Sequence, residues 1–107
     1  MRRNISAVIV LAALLAAGCA FVPRHNARLE EARAAYAAAQ SDPQVARHAA
    51  AELRVAEDFL QRAAHARDTL DDPAQADHLA YMAKQRAAIA RQVARLRESL
   101  AAVRVER

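Results

Sequence analysis

Glycine occurs once in this chain of 107 residues, at Gly18, and none of the 89 residues after it is glycine. That one fact removes most ways of turning a backbone sharply. Tight hairpins, phosphate-cradling loops and the commonest helix C-caps all ask for a residue that takes positive φ at little cost. What remains is rich in Ala, Arg, Leu, Gln and Glu, the residues that lose least on entering a helix. Strand-favouring aromatic and β-branched residues are scarce after Val22. The sequence therefore predicts an all-α fold of a few long helices in one small domain.

Two Asp-Pro pairs punctuate it. In Ser41-Asp42-Pro43 the aspartate can cap exposed N–H groups, while Pro43 takes the first helical position, where no N–H is needed. Asp72-Pro73-Ala74-Gln75 repeats the device and sets Gln75 at the capping-box position. Three helices follow, over about 24–40, 43–70 and 73–105. The pairs lie 30 residues apart, but the segments after them align weakly, so no repeat array is expected.

Each helix carries apolar rows. Leu29, Ala32, Tyr36 and Ala39 form a stripe on the first. On the second, Ala49, Ala56 and Ala63 recur every seven residues, with Ala46, Leu53 and Leu60 beside them, until Arg67 interrupts. This is a coiled-coil seam in which alanine lets helix axes approach closely. On the third, Leu79, Met82, Ile89, Val93, Leu96, Leu100 and Val103 keep a 3–4 spacing, with Arg86 in the remaining slot. Ala80, Ala83, Ala87, Ala90, Ala94 and Ala101 run alongside, a face wide enough for two neighbours. Short connections favour antiparallel packing. The expected architecture is an elongated antiparallel three-helix bundle over residues 26–107, with its far end covered by the second and third helices alone.

The first 20 residues read differently. Arg2 and Arg3 precede Ile5 to Ala17, thirteen residues without a charge. That length suits the apolar region of an export signal and falls short of the roughly 20 residues that span a bilayer. Leu15-Ala16-Ala17-Gly18-Cys19 resembles the lipobox of bacterial lipoproteins, with small residues at the two positions before the cysteine. Ala16 stands where that pattern more often has leucine. The resemblance implies cleavage between Gly18 and Cys19, lipid on the Cys19 thiol and acylation of the new amino group. Residues 1–18 would then be signal and residues 19–25 a lipidated tether. Ala20 in place of an aspartate implies the outer membrane. Residues 5–22 are all uncharged, which keeps open an uncleaved inner-membrane anchor carrying a coiled-coil assembly module.

Charge and composition narrow the function classes. Without Arg2 and Arg3 the chain keeps 14 basic and 12 acidic side chains, a net of +2. The charges are interleaved along the helices and few aromatics could stack on bases, so no nucleic-acid partner is expected. Cys19, the single cysteine, excludes an internal disulfide and a CxxC site. His48 and Glu52 are four apart, a spacing two metal ligands could use. No HExxH accompanies them, and with Asp77 and His78 they are read as solvated side chains, so no metal and no cofactor is expected. Glu57 and Asp58 lie among Arg54 and Arg62 as surface pairs. Neither a Ser-His-Asp arrangement nor paired carboxylates in a cleft can be read from the sequence, and no enzyme activity is expected.

Residues 28–97 resemble a bacterial domain of unknown function found in small periplasmic lipoproteins, which in some relatives precedes an OmpA-like peptidoglycan-binding domain. The matching segments are LEEARAAY at 29–36, DPQVA at 42–46, AAEL at 50–53 and, most specifically, HLAYMAKQRAAIAR at 78–91. The resemblance implies helices and an envelope location and brings no catalytic residues. The sequence ends at Arg107, so peptidoglycan binding is not expected of it. The last segment contains His78, Tyr81 and Arg86, the candidate partner-contact residues. Arg86 interrupts an apolar stripe, either as a contact to a ligand or partner or as a snorkelling arginine paired with an acid from another helix. The reading as a whole is a non-catalytic, lipid-anchored helical module facing the periplasm, which binds or braces another envelope protein.

Overall fold

The computed structural model describes residues 26–106, all four of its elements being helices: α1 (Ala27–Gln40), α2 (Pro43–His48), α3 (Ala50–Asp68) and α4 (Pro73–Glu106). The all-α expectation holds for the described residues. The expected signal and tether, residues 1–25, lie outside them.

The chemistry of the caps explains the boundaries. Asn26, in extended conformation, accepts the Leu29 N–H on its side-chain oxygen at 3.0 Å and opens α1 three residues later than expected. Asp42 accepts the Gln44 N–H at 2.9 Å, with Pro43 as the first residue of α2. Asp72 accepts the Gln75 N–H at 3.0 Å and does the same for α4. Both Asp-Pro pairs therefore act as the sequence predicts.

The second expected helix, 43–70, is corrected to two. Ala49 takes φ −139° and ψ 33°, which is not helical, and separates α2 from α3. The break is local. The Ala49 N–H still reaches the Val45 carbonyl at 2.8 Å, and the Leu53 N–H reaches the Ala49 carbonyl at 3.0 Å. Neither Pro nor Gly stands at the break, so its cause is tertiary. Val45, Ala49, Ala90 and Ala94 form one buried cluster, with Leu53 and Val93 against it. Bending at Ala49 lets α2 bring Val45 onto α4 while α3 keeps its own alanine row there.

α4 is the axis on which the other three helices pack. α3 runs antiparallel to it. Ala63 shares a cluster with Ala80, Ala56 with Ala87, and Ala49 with Ala94, so each step of seven down one helix meets seven up the other. α1 runs parallel to α4. Asn26 bonds Asp77, Glu31 pairs with Lys84, and Asp42 faces Arg91, in the same order along both. Apart from Leu29, Val45 and Leu79, every fully buried apolar residue among those described is alanine. Alanine at both facing positions draws helix axes toward the short end of the ~8–10 Å range. The seam ends at Arg67, as expected. Ala66 is the last buried residue of α3, and Arg67 turns aside to Asp68 at 2.7 Å.

Two expectations about the last helix are corrected. Its buried row is the alanine one, Ala76, Ala80, Ala83, Ala87, Ala90 and Ala94, joined only by Leu79 from the larger side chains. Two helices press on α4 at once, and only a methyl group fits where both backbones come close. Ile89, Leu96, Leu100 and Val103 are exposed, and Ala101 with them. The far end is also not shared by two helices. From Arg95 to Glu106 every residue of α4 is exposed, and beyond Arg97, which still bonds to His48 and Glu52, a stretch of about 13 Å extends past its neighbours.

The turn between α3 and α4 solves the glycine problem with an aspartate. Asp71 has φ 49°, the left-handed region, which Asp and Asn enter more easily than other non-glycine residues. With it, the Asp72 N–H reaches back to the Ala66 carbonyl at 2.9 Å and the chain reverses within four residues, 69–72.

Candidate functional site

The three candidate contact residues lie on the outer side of α4, away from the alanine row. His78, Tyr81 and Arg86 are all exposed. Helical spacing sets His78 and Tyr81 three apart on neighbouring parts of one face, with Arg86 a further turn along. The snorkelling reading of Arg86 required an acid from another helix. Among the described residues Arg86 forms no ion pair, whereas Lys84, Arg91 and Arg97 on the same helix pair with Glu31, Asp42 and Glu52. Arg86 is therefore a solvated cation set into an apolar row, open to a contact from outside the chain.

The metal-like spacings come apart. His48 closes α2 and Glu52 lies in the first turn of α3, with the break at Ala49 between them. The Glu52 carboxylate is taken by Arg97, at 2.8 Å to one oxygen and 3.3 Å to the other. Asp77 is taken by Asn26, whose amide donates at 3.1 Å, and lies 3.9 Å from Arg28. Among the described residues no three His, Cys, Asp or Glu side chains gather as metal ligands would. The Asp58 carboxylate lies 3.7 Å from Arg62, whose guanidinium is also 5.4 Å from the centre of the Phe59 ring.

One shallow depression is lined by Asn26, Ala27, Arg28, Pro73 and Asp77, where the start of α1 meets the start of α4. Its polar groups already bond to one another. At the opposite end of α1, Gln44 Oε1 and Arg91 Nε are buried without a hydrogen-bond partner, and Arg91 Nε stands 3.8 Å from Asp42. Burial pushes the Tyr36 hydroxyl above the ordinary tyrosine range, with the negative charge of Glu57 adding to it. The Asp68 hydrogen bond raises Arg67 further still, so it stays charged.

Sequence reasoning missed Asn26, Arg97 and Asp71. Asn26 had a signal, since an Asn three residues before Leu29 and Glu30 is a helix start. Arg97 had none, because its partners lie on helices far away in the chain. Gly18 and Cys19, expected from the sequence as the cleavage and lipid-attachment residues, lie outside the described part. No helix of the described residues is long and apolar enough to cross a membrane.

No curated protein and no solved structure matches this chain. One family does, over residues 27–105, from the first residue of α1 to the last residue but one of α4. The chain belongs to the family described as Domain of unknown function (DUF4398).

Proposed function

We propose that this chain is an outer-membrane lipoprotein, anchored through lipid on Cys19 and facing the periplasm, whose helical rod braces or binds another envelope protein without catalysis. The observation that carries the reading is the N-terminal stretch itself. Thirteen uncharged residues, Ile5 to Ala17, lead into Gly18-Cys19, and the cap of α1, Asn26, comes seven residues after the cysteine. A thiol is the nucleophile that can accept a diacylglycerol group, and three acyl chains anchor far more firmly than the marginal hold of one.

The packing supports the same reading. Asn26 is tied to Asp77 near the start of α4, so the tether leaves from one end of the rod and the bare tip of α4 points away from it. A helix of 34 residues spans about 51 Å, a long surface for a partner to contact. In finer terms we read the domain as an elongated three-helix bundle in which α2 and α3 act as one bent arm, with the face around His78, Tyr81 and Arg86 as its contact surface.

Cells expressing the full chain, labelled with palmitate and treated with globomycin, test the anchor. Label on the wild-type chain, its absence from Cys19→Ser and accumulation of the precursor under the drug are expected. A Cys19→Ser protein that still labels and fractionates with the outer membrane would refute it. The uncharged run 5–22 keeps the inner-membrane anchor as the competing reading. Retention of residues 1–18 in the isolated protein would favour that one.

A further inference from the structure

The outer row of α4 alternates strictly by four and three: Met82, Arg86, Ile89, Val93, Leu96, Leu100, Val103. A sustained seven-residue repeat is the pattern of a helix that supercoils with a partner. Within the chain only part of this row is used: Val93 packs against the Val45 cluster and Met82 is half-buried, while the rest is exposed. The buried contacts of α4 are made by its alanine row, and Leu96, Leu100 and Val103 remain 61%, 53% and 49% exposed. A second copy is what the row itself fits. Two α4 helices laid antiparallel about a point between Ala94 and Arg95 set Ile89 against Leu100 and Val93 against Leu96, in both directions at once. In the same register Arg86 falls beside Val103, with Glu106 of the other copy one turn further on. Arg104 meets Gln85 and Arg97 meets Gln92, so no like charges face each other. A parallel pair would instead put Arg86 against Arg86, with no acid on the stripe within a turn.

We infer that two copies of this chain associate through the outer row of α4 as an antiparallel coiled coil, with Arg86 of each reaching Glu106 of the other. The proposal stands on the α4 pattern and does not rest on the anchor at Cys19. The overlap covers residues 86–103 of both chains, about 27 Å, which places the contact at the small end of specific interfaces. The dimer is therefore concentration-dependent. α4 is already held helical by its own bundle, so association needs no new folding. The tethers of such a pair leave at opposite ends.

Paired cysteines test this in the full-length chain. Ile89→Cys and Leu100→Cys chains are made separately and mixed under mild oxidation, with the wild type, whose only cysteine is Cys19, as the control. The expected product is a mixed disulfide between the two variants. Homodimers of either are not expected, because like residues lie about 16 Å apart along the pair. Arg86→Glu, introduced into both chains, lowers the mixed product at least threefold, and adding Glu106→Arg restores it. Circular dichroism confirms that every variant keeps its helix content. Homodisulfides of each variant in place of the mixed one, a disulfide to a different protein, or monomers alone with native helix content would overturn the proposal.

Discussion

Arg97 fastens the break in the second arm: its guanidinium donates to the His48 carbonyl oxygen at 2.6 Å and pairs with the Glu52 carboxylate at 2.8 Å. His48 is the last residue of α2, and Glu52 lies in the first turn of α3. One side chain from α4 thus holds both sides of the non-helical residue Ala49. The Arg97 side chain is half exposed and that of Glu52 is a quarter exposed, so water screens the pair and its worth is modest. Arg97→Ala should cost about 0.5–1.5 kcal/mol in denaturant unfolding. Its sharper signature is faster amide exchange in α2 with α4 unchanged. Arg97→Lys should recover only part, because an ammonium cannot match the planar fork.

The alanine rows make a stronger prediction. Ala87 shares one fully buried cluster with Ala39 of α1 and Ala56 of α3. Ala88, its neighbour, is exposed. Ala87→Leu forces extra carbon between three backbones and should destabilise by about 1–3 kcal/mol or more. Ala88→Leu should stay within about 0.5 kcal/mol of wild type. Thermal or urea unfolding of the two proteins decides it, and equal stability would mean that the helices are not in alanine register.

The turn at Asp71 should be sensitive to shape more than to charge. A β-branched side chain is a poor fit at φ 49°. Asp71→Val should cost about 1–2 kcal/mol, while Asp71→Asn, which also tolerates the left-handed region, should cost much less. Equal losses in urea unfolding for both would assign the effect to the carboxylate instead.

Tyr36 gives a pH dependence. Burial and Glu57 raise its pKa in the folded chain, so the neutral form is favoured more by the folded than by the unfolded state. The resulting stability is complete below the ordinary tyrosine value of about 10. It is lost as the pH rises from there through the folded value, because the unfolded chain releases its proton first. Tyr36→Phe should flatten the fall in stability above pH ~10 and leave the neutral range without that pH term. An unchanged alkaline limb in urea midpoints would rule Tyr36 out as its source.

Much of this architecture was legible because the caps and the heptads are local signals. Asp42-Pro43 and Asp72-Pro73 opened helices where they were expected to. Ala49, Ala56 and Ala63 lie fully buried, as their seven-residue spacing predicted. What could not be read was which of two adjacent rows on α4 would be buried. Transfer free energy favours burying leucine over alanine, but close approach of two helices to the same side of α4 favours the methyl group. The choice was made by geometry that no single helix encodes. The break at Ala49 escaped for a like reason, since alanine is the best helix former and only the pull of Val45 toward Ala90 and Ala94 explains it. Of the candidate site, the exposure of His78 and Tyr81 agrees with a surface role, and Arg86 lacked the intramolecular acid that would have made it ordinary.

The proposed anchor requires that the mature chain begin at a lipid-bearing Cys19. Intact mass spectrometry of the full-length protein, extracted from membranes without proteolysis, measures this directly. The expected mass is that of residues 19–107 plus the diacylglyceryl and acyl groups, with no species retaining Met1 to Gly18. A single species that still carries residues 1–18, with no lipid on Cys19, would contradict it.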